Sequence, residues 1–158
     1  MFHTDAQTIP DSSGAYMLLV ELPELTHVSI GARITGGLAP GRYLYCGSAN
    51  GPGGLRARIA RHMRSEKKLH WHIDHLTTSG RVLGAWAWEG GDECTLVDTL
   101  GHLPHPIPGF GSTDCAVCPS HLMHWPIGVP ALPIRKVKAP PVFTLPLGLG
   151  DIFPPLRP

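Results

Sequence analysis

Residues 42–68 constrain the fold more strongly than any other part of the chain. The segment opens with a short apolar run, passes through a cluster of glycines and ends in a strongly basic stretch. This order predicts a strand over residues 42–46, a glycine-rich turn and a helix over residues 54–65. Three apolar residues repeat every four positions, as on one stripe of a helix: Leu55, Ile59 and Met63. Glycines let another molecule approach the backbone closely, so this order of elements suits contact with a phosphodiester.

The rest of the chain mixes strand and helix signals, which indicates an α+β domain. Residues 15–22 form an apolar run with Pro23 behind it, typical of a buried strand. Residues 27–34 predict a second strand, ended by Gly36-Gly37, and we expect both to form a meander with residues 42–46. The later patterns predict a helix over residues 70–78, a strand over 81–89, a helix from the cap Asp92 to Leu100, and a short strand over 121–125.

Composition favours one folded domain with less ordered ends. The chain has 158 residues, of which 42% are hydrophobic and 16% charged, so it can bury a core. Residues 1–13 are polar and predict a flexible N-terminus, and residues 14–125 hold the periodic patterns. Nine of the 17 prolines fall in residues 126–158, which predicts an extended or disordered tail.

The chain carries no sign of export or membrane insertion. Its first ten residues lack the apolar core of a signal peptide, and no apolar run reaches transmembrane length. We therefore expect a cytoplasmic protein without a membrane partner, in which the four cysteines stay reduced.

Short motifs follow one another in an order that resembles a known family. The motifs are Gly14-Ala-Tyr16, Tyr43-Leu-Tyr-Cys-Gly-Ser-Ala49, Gly54-Leu-Arg-Ala-Arg-Ile-Ala-Arg-His62, His70-Trp-His-Ile-Asp74, Glu93-Cys94, Pro108-Gly-Phe-Gly-Ser-Thr-Asp-Cys115 and Ser120-His-Leu122. Together they resemble the GIY-YIG nucleases, and more closely the DUF123 branch, small proteins sometimes fused to endonuclease III. The resemblance implies a GIY-YIG-like fold over residues 14–125, with a central antiparallel or mixed sheet flanked by helices. It also implies metal-dependent hydrolysis of DNA, in DNA repair.

The resemblance gives five residues catalytic roles. Tyr16 and Tyr45 match the motif tyrosines, and Arg58 matches the catalytic arginine because a histidine follows four residues later. His70 matches a later histidine or tyrosine, and Glu93 matches the glutamate that holds Mg²⁺ or Mn²⁺. The implied partners are DNA that is branched, nicked or damaged, and a DNA-repair protein.

The basic helix and its extension predict contacts to the DNA backbone. The residues concerned are Arg56, Arg61, His62, Arg64, Lys67 and Lys68. Glu66 is the one acidic residue in the segment 54–68 that holds them. Plainer explanations stand beside these roles: the cations can form a solvated face, the tyrosines can be packed strand aromatics, and Glu93 can simply favour the start of a helix.

Three features depart from the family pattern. The middle residues of the two short motifs are Ala15 and Cys46, whose side chains we expect on the face opposite the tyrosines. The gap between the motifs is long, which implies an additional hairpin around residues 28–37. The family's late asparagine has no counterpart, so either Asp114 or Ser112 replaces it or the site is incomplete.

The cysteines suggest a separate metal site. Cys115 and Cys118 have the spacing of zinc ligands, and His121 follows them. Cys94 can supply a further thiolate if the fold brings it near. The alternatives are reduced structural cysteines, or a loop that completes the active groove.

Three functions from different classes therefore stay open. The first is a metal-dependent DNA endonuclease, and the second is a non-catalytic nucleic-acid-binding module of the same fold. They differ at Glu93, which only the enzyme requires. The third is a zinc-stabilised interaction protein, which rests on the cysteines alone.

Overall fold

The computed structural model describes residues 1–101 and 103–125, and it confirms the α+β class. Six strands are present: β1 (Gly14–Leu22), β2 (Thr26–Ile30), β3 (Ile34–Leu38), β4 (Gly41–Ala49), β5 (Arg81–Glu89) and β6 (Leu122–Trp125). The helices are α1 (Gly54–Met63), α2 (Asp74–Thr77) and α3 (Glu93–Thr99). The predicted proline-rich tail, residues 126–158, lies outside the described residues. No helix within the described ranges combines the length and hydrophobicity needed to cross a membrane.

A four-stranded antiparallel sheet in the order β5-β1-β4-β6 forms the centre of the fold. β1 is paired on both sides and buried on both faces, which is why its sequence is a continuous apolar run. Tyr16 and Leu18 point into one core with α1, while Ala15 and Met17 point into a second core with α3. Cys46 also faces the second core, so the predicted separation of Ala15 and Cys46 from the tyrosines is confirmed.

The predicted strand over residues 27–34 and the predicted meander are wrong. The chain instead turns at Gly31, in the left-handed region with φ 61°, and forms a separate hairpin of β2 and β3. The pair Gly36-Gly37 lies within β3 rather than ending a strand. β1 pairs directly with β4 because each offers nine residues of matching extent. The additional hairpin expected between the two motifs is thus present.

Two helices are shorter than predicted because side chains form hydrogen bonds with the backbone groups at their ends. α1 stops at Met63, where the ammonium of Lys67 donates to the carbonyls of residues 61, 62 and 64. The helix predicted over residues 70–78 is reduced to α2, since Asp74 accepts the N–H groups of the two residues His70 and Trp71. The predicted cap of α3 is confirmed, with the Asp92 carboxylate accepting from Thr95 N at 2.9 Å.

Candidate active site

All five predicted catalytic residues line one open cavity of ≈ 380 Å³, called here the groove. They come from different elements: Tyr16 from β1, Tyr45 from β4, Arg58 from α1, Glu93 from the start of α3, and His70 from the segment before α2. Residues that lie up to 77 positions apart in the numbering, as Tyr16 and Glu93 do, therefore meet in a single cavity. Such convergence of titratable side chains is typical of an active site.

The register of β1 and β4 places the two tyrosines side by side on one face. Tyr16 lies opposite Gly47, and Tyr45 lies opposite Leu18. A Cβ atom on Gly47 would come within 2.5 Å of the Tyr16 hydroxyl oxygen, so the ring occupies space that only a glycine leaves open. Tyr45 is held edge-on against Phe110, with ring centroids 6.1 Å apart.

Beneath the groove, the Tyr16 hydroxyl lies 2.8 Å from Nε2 of His62. Both side chains are buried, with exposures of 2% and 1%. Burial raises the pKa of Tyr16 and lowers the pKa of His62, so both are uncharged near neutral pH. The predicted DNA contact of His62 is wrong, because its ring lies in the core beneath Tyr16.

Arg58 presents its charge to the groove without a carboxylate partner among the described residues. Its Nη1 donates to the carbonyl oxygen of Ser48 at 3.4 Å. Its guanidinium carbon lies 4.4 Å above the ring of Trp71, a cation–π contact that holds the planar group in place. The guanidinium is therefore oriented by the protein and able to bind an anion.

The other predicted DNA-binding cations divide into two groups. Arg61 forms an ion pair with the buried Asp74 at 2.9 Å, and Arg56 donates to the carbonyl of Ile9 at 2.7 Å. The ammonium of Lys67 caps α1, and burial lowers the pKa of Lys67 to about 8. Arg64 and Lys68 are exposed, and within the described ranges their charged groups have no such partner.

The groove also holds two carboxylates, Glu93 and Asp114. Neither forms an ion pair with another described residue, and Asp114 is exposed in the loop before β6. Of the two candidates to replace the missing asparagine, Asp114 lines the groove and Ser112 is buried. Unpaired carboxylate oxygens are the ligands that a hydrated Mg²⁺ or Mn²⁺ prefers, so the residues present fit a hard divalent cation.

A second cluster lies beside the groove and can hold a metal ion. Its potential ligand atoms, from Cys94, Cys115, Cys118 and His121, all lie within 4.8 Å of one another. Nε2 of His121 is buried and makes no hydrogen bond to a described residue. The N–H groups of Cys118 and Val117 lower the pKa of Cys115 to about 6, which favours its thiolate. Burial raises the pKa values of Cys94 and Cys118, so these two thiols would have to release their protons on binding a metal.

The structure also contributes residues to which the sequence had given no role. The ring of Trp71 forms the cation–π contact with Arg58. Nδ1 of His72 accepts a hydrogen bond from the backbone N–H of Gly111, 2.8 Å away. Asp74 organises the turn that holds His70. The run His70-Trp-His-Ile-Asp74 was visible in the sequence, but nothing in it shows which side chains meet Arg58 or α1.

The fold and groove define an α+β domain with converging tyrosine, arginine, histidine and carboxylate side chains. The family described as domain of unknown function DUF123 matches residues 15–133, well over half of the chain. The chain belongs to the DUF123 family. No curated protein and no solved structure matches it.

Proposed function

We propose that the chain is a divalent-metal-dependent DNA endonuclease of the GIY-YIG type, acting on branched, nicked or damaged DNA during repair with a repair-protein partner. One observation carries the proposal: Tyr16, Tyr45, Arg58, His70 and Glu93 line a single groove. An oriented cation, a proton acceptor and unpaired carboxylates are the groups that phosphodiester hydrolysis needs.

Arg58 supplies the phosphate contact. Its guanidinium is fixed by Trp71 and by the Ser48 carbonyl, yet it has no carboxylate partner among the described side chains. A fork of N–H donors can meet two phosphate oxygens at once and stabilise the negative charge that builds up during attack.

Tyr16 and His62 supply the path for the proton. The raised pKa of Tyr16 excludes a standing phenolate near neutral pH. The hydroxyl oxygen therefore accepts the proton of an attacking water while its own proton passes to Nε2 of His62, 2.8 Å away. This transfer leaves Tyr16 neutral throughout and charges only His62. His70, exposed at the edge of the groove, is placed to contact the DNA or the leaving group.

Glu93 and Asp114 would hold the divalent cation. When bound, Mg²⁺ or Mn²⁺ supplies positive charge near the leaving oxygen. The contribution of the chain is to provide two carboxylates that are not already neutralised by a cation of the protein.

Cleavage assays on variants with single substitutions test the nuclease proposal. Flap, nicked, branched and duplex DNA are incubated with Mg²⁺ or Mn²⁺ and the wild type, Glu93→Gln or Arg58→Lys. We expect both variants to lose cleavage by on the order of 10²-fold or more, while Glu24→Gln, at an exposed carboxylate outside the groove, stays at the wild-type rate. DNA binding without cleavage by the wild type would instead identify a binding module, and equal cleavage by all variants would reject this groove.

For the cluster of three cysteines and His121 we propose Zn²⁺ as the bound ion. Three thiolates and an imidazole are a common tetrahedral zinc set, and the unsatisfied Nε2 of His121 supplies the fourth ligand. We expect one zinc per chain by elemental analysis, lost in Cys118→Ser and kept in Cys46→Ala, whose thiol is buried outside the cluster. A metal-free wild type purified without chelators would refute the zinc site.

A further inference from the structure

We propose that Asp74 is a positioning residue that fixes the tautomer of His62 and so prepares Nε2 to receive the Tyr16 proton. Its catalytic consequence rests on the nuclease proposed above, whereas the tautomer itself does not. Asp74, His62 and Tyr16 then form a buried chain from β1 through α1 to the start of α2.

The hydrogen bonds of Asp74 leave one acceptor position open. Oδ2 accepts from Arg61 Nη2 at 2.9 Å and from the N–H groups of His70 and Trp71 at 2.8 and 2.9 Å. Oδ1 accepts only from Arg61 Nη1 at 2.9 Å among the described donors. Since each carboxylate oxygen has two lone pairs, one lone pair of Oδ1 remains available.

The remaining nitrogen of His62 faces that lone pair. Nδ1 lies 3.7 Å from Asp74 Oδ1, slightly beyond hydrogen-bond range, and it is buried without another partner in the described ranges. With the proton on Nε2 instead, the buried lone pairs of Nδ1 and Asp74 Oδ1 would face each other, whereas an N–H at Nδ1 is attracted by the carboxylate. Nε2 is then bare, and it can only accept from the Tyr16 hydroxyl.

The charges around His62 keep it a neutral acceptor. The groups that face it are Tyr16, Arg58, Lys67 and Asp74. Burial and the two cations lower the pKa of His62, against the opposite influence of Asp74. Arg61 is paired with Asp74 through two hydrogen bonds of 2.9 Å, and the pKa of His62 stays lowered, so the carboxylate orients the imidazole without protonating it.

Asp74 also has a structural role that the test must separate from positioning. It is fully buried, and it orders the backbone of His70 and Trp71, both of which line the groove. A purely structural Asp74 would predict a general loss of folding or DNA affinity. A positioning Asp74 predicts a defined tautomer in the wild type and a selective loss in the chemical step.

The first experiment reads the tautomer in the wild type and needs neither a variant nor activity. Long-range ¹H–¹⁵N correlations of the histidine side chains, assigned through their own Cβ atoms, are recorded at neutral pH. We expect His62 to carry its proton on Nδ1. A proton on Nε2, or on both nitrogens, would overturn the proposal whether or not the protein cleaves DNA.

The second experiment measures kinetics of Asp74→Asn, with Asp98→Asn at an exposed carboxylate of α3 as the matched control. We expect kcat to fall by on the order of 10²- to 10⁴-fold with little change in KM, and the control to match the wild type. A folded Asp74→Asn protein with unchanged kcat, or with a loss confined to KM, would contradict positioning. If Asp74→Asn does not fold, the NMR measurement of the His62 tautomer in the wild type still tests the proposal. A wild type with the Nδ1 proton but no cleavage would reject the nuclease and keep the tautomer assignment.

Discussion

At the residue scale, the position of Gly47 explains why the second tyrosine motif has a glycine two residues after Tyr45. It lies directly opposite Tyr16 in the β1–β4 ladder. The Tyr16 ring crosses over it, within 2.5 Å of the place where a Cβ would be. Because the ring is also held by His62, it cannot move aside without losing that hydrogen bond.

Replacing Gly47 by alanine should therefore damage both stability and the site. We expect the free energy of unfolding to fall by about 1–3 kcal/mol, as for overpacking in a core, together with a loss of cleavage. Denaturant unfolding of Gly47→Ala checks the first effect. Gly51→Ala is the control, since a Cβ there meets nothing within 4 Å; equal effects of the two substitutions would contradict the explanation.

The buried side chains of His62 and Asp74 predict that the protein loses stability in acid. Burial lowers the pKa of His62, so between its folded and unfolded values the unfolded chain binds a proton that the folded chain does not. The stabilisation is complete above the ordinary histidine value of about 6.5 and is lost as pH falls below it. Burial would raise the pKa of Asp74, but contacts with His62 and Arg61 and two N–H donors hold it well below its usual range. Its contribution has the same sign and is lost below about pH 4.

Denaturant unfolding between pH 7 and 5 measures the histidine part. We expect each such histidine to contribute a slope of up to about 1.4 kcal/mol per pH unit. His62→Gln should flatten the slope, and His75→Gln, outside the groove, should not. Within the described residues, His3, His72 and His105 contribute to the slope that remains, since burial also lowers their pKa values. An unchanged slope in His62→Gln would contradict a neutral buried His62.

At the scale of elements, the cysteine cluster ties α3 to the loop before β6. Cys94 follows Glu93 on α3, and Cys115 follows Asp114 in the loop. His121 lines both the cluster and the groove, and its carbonyl accepts from Cys46 N on β4 at 3.0 Å. The two groove carboxylates are thus each one residue away from a cluster ligand.

Removal of the proposed zinc ion should therefore make the side of the groove that holds Glu93 and Asp114 more mobile. The side that holds Tyr16 and Tyr45 should be unaffected. After chelation we expect faster amide hydrogen exchange in α3 and residues 111–121, and unchanged exchange in β1. Exchange detected by mass spectrometry, with Cys118→Ser as an independent metal-free form, tests this. Uniform loosening of the whole sheet, or no change, would show that the cluster does not hold these segments.

The elements also show what sequence could and could not predict. The stripe of Leu55 and Ile59 predicted α1, and the Asp92 cap predicted α3, because both signals are local. Strand partners were not predictable in this way, since β1 and the centre of β4 are buried on both faces and neither pattern identifies its neighbour. The proposed catalytic set came from motif order, whereas the role proposed for Asp74 depends on the contact between α1 and residues 70–74, which are separate in the sequence.

The distribution of charge over the whole molecule leads to the last prediction, the salt dependence of DNA binding. Six cations lie in residues 54–68, and three of them, Arg56, Arg61 and Lys67, have their charged groups bound to protein acceptors. Arg58, Arg64 and Lys68 are the three of this set that we expect to contact phosphates. Each neutralised phosphate of duplex DNA contributes a slope of about −0.9 to log K against log salt. We therefore expect this set to contribute a slope of roughly −3, rather than the roughly −5 that all six would give.

Fluorescence anisotropy with duplex DNA over a series of salt concentrations measures that slope. Arg64→Gln should reduce the magnitude of the slope by about one, because the substitution removes the contact between the exposed guanidinium and a phosphate. Arg56→Gln, an arginine within α1, is the matched control. The Nε of Arg56 is bound to the Ile9 carbonyl and its Nη1 lies 3.9 Å from the Asp11 carboxylate, so we expect no change in slope. Equal effects of the two substitutions would mean that Arg56 leaves its internal partners when DNA binds, and the basic helix would then face the duplex along its whole length.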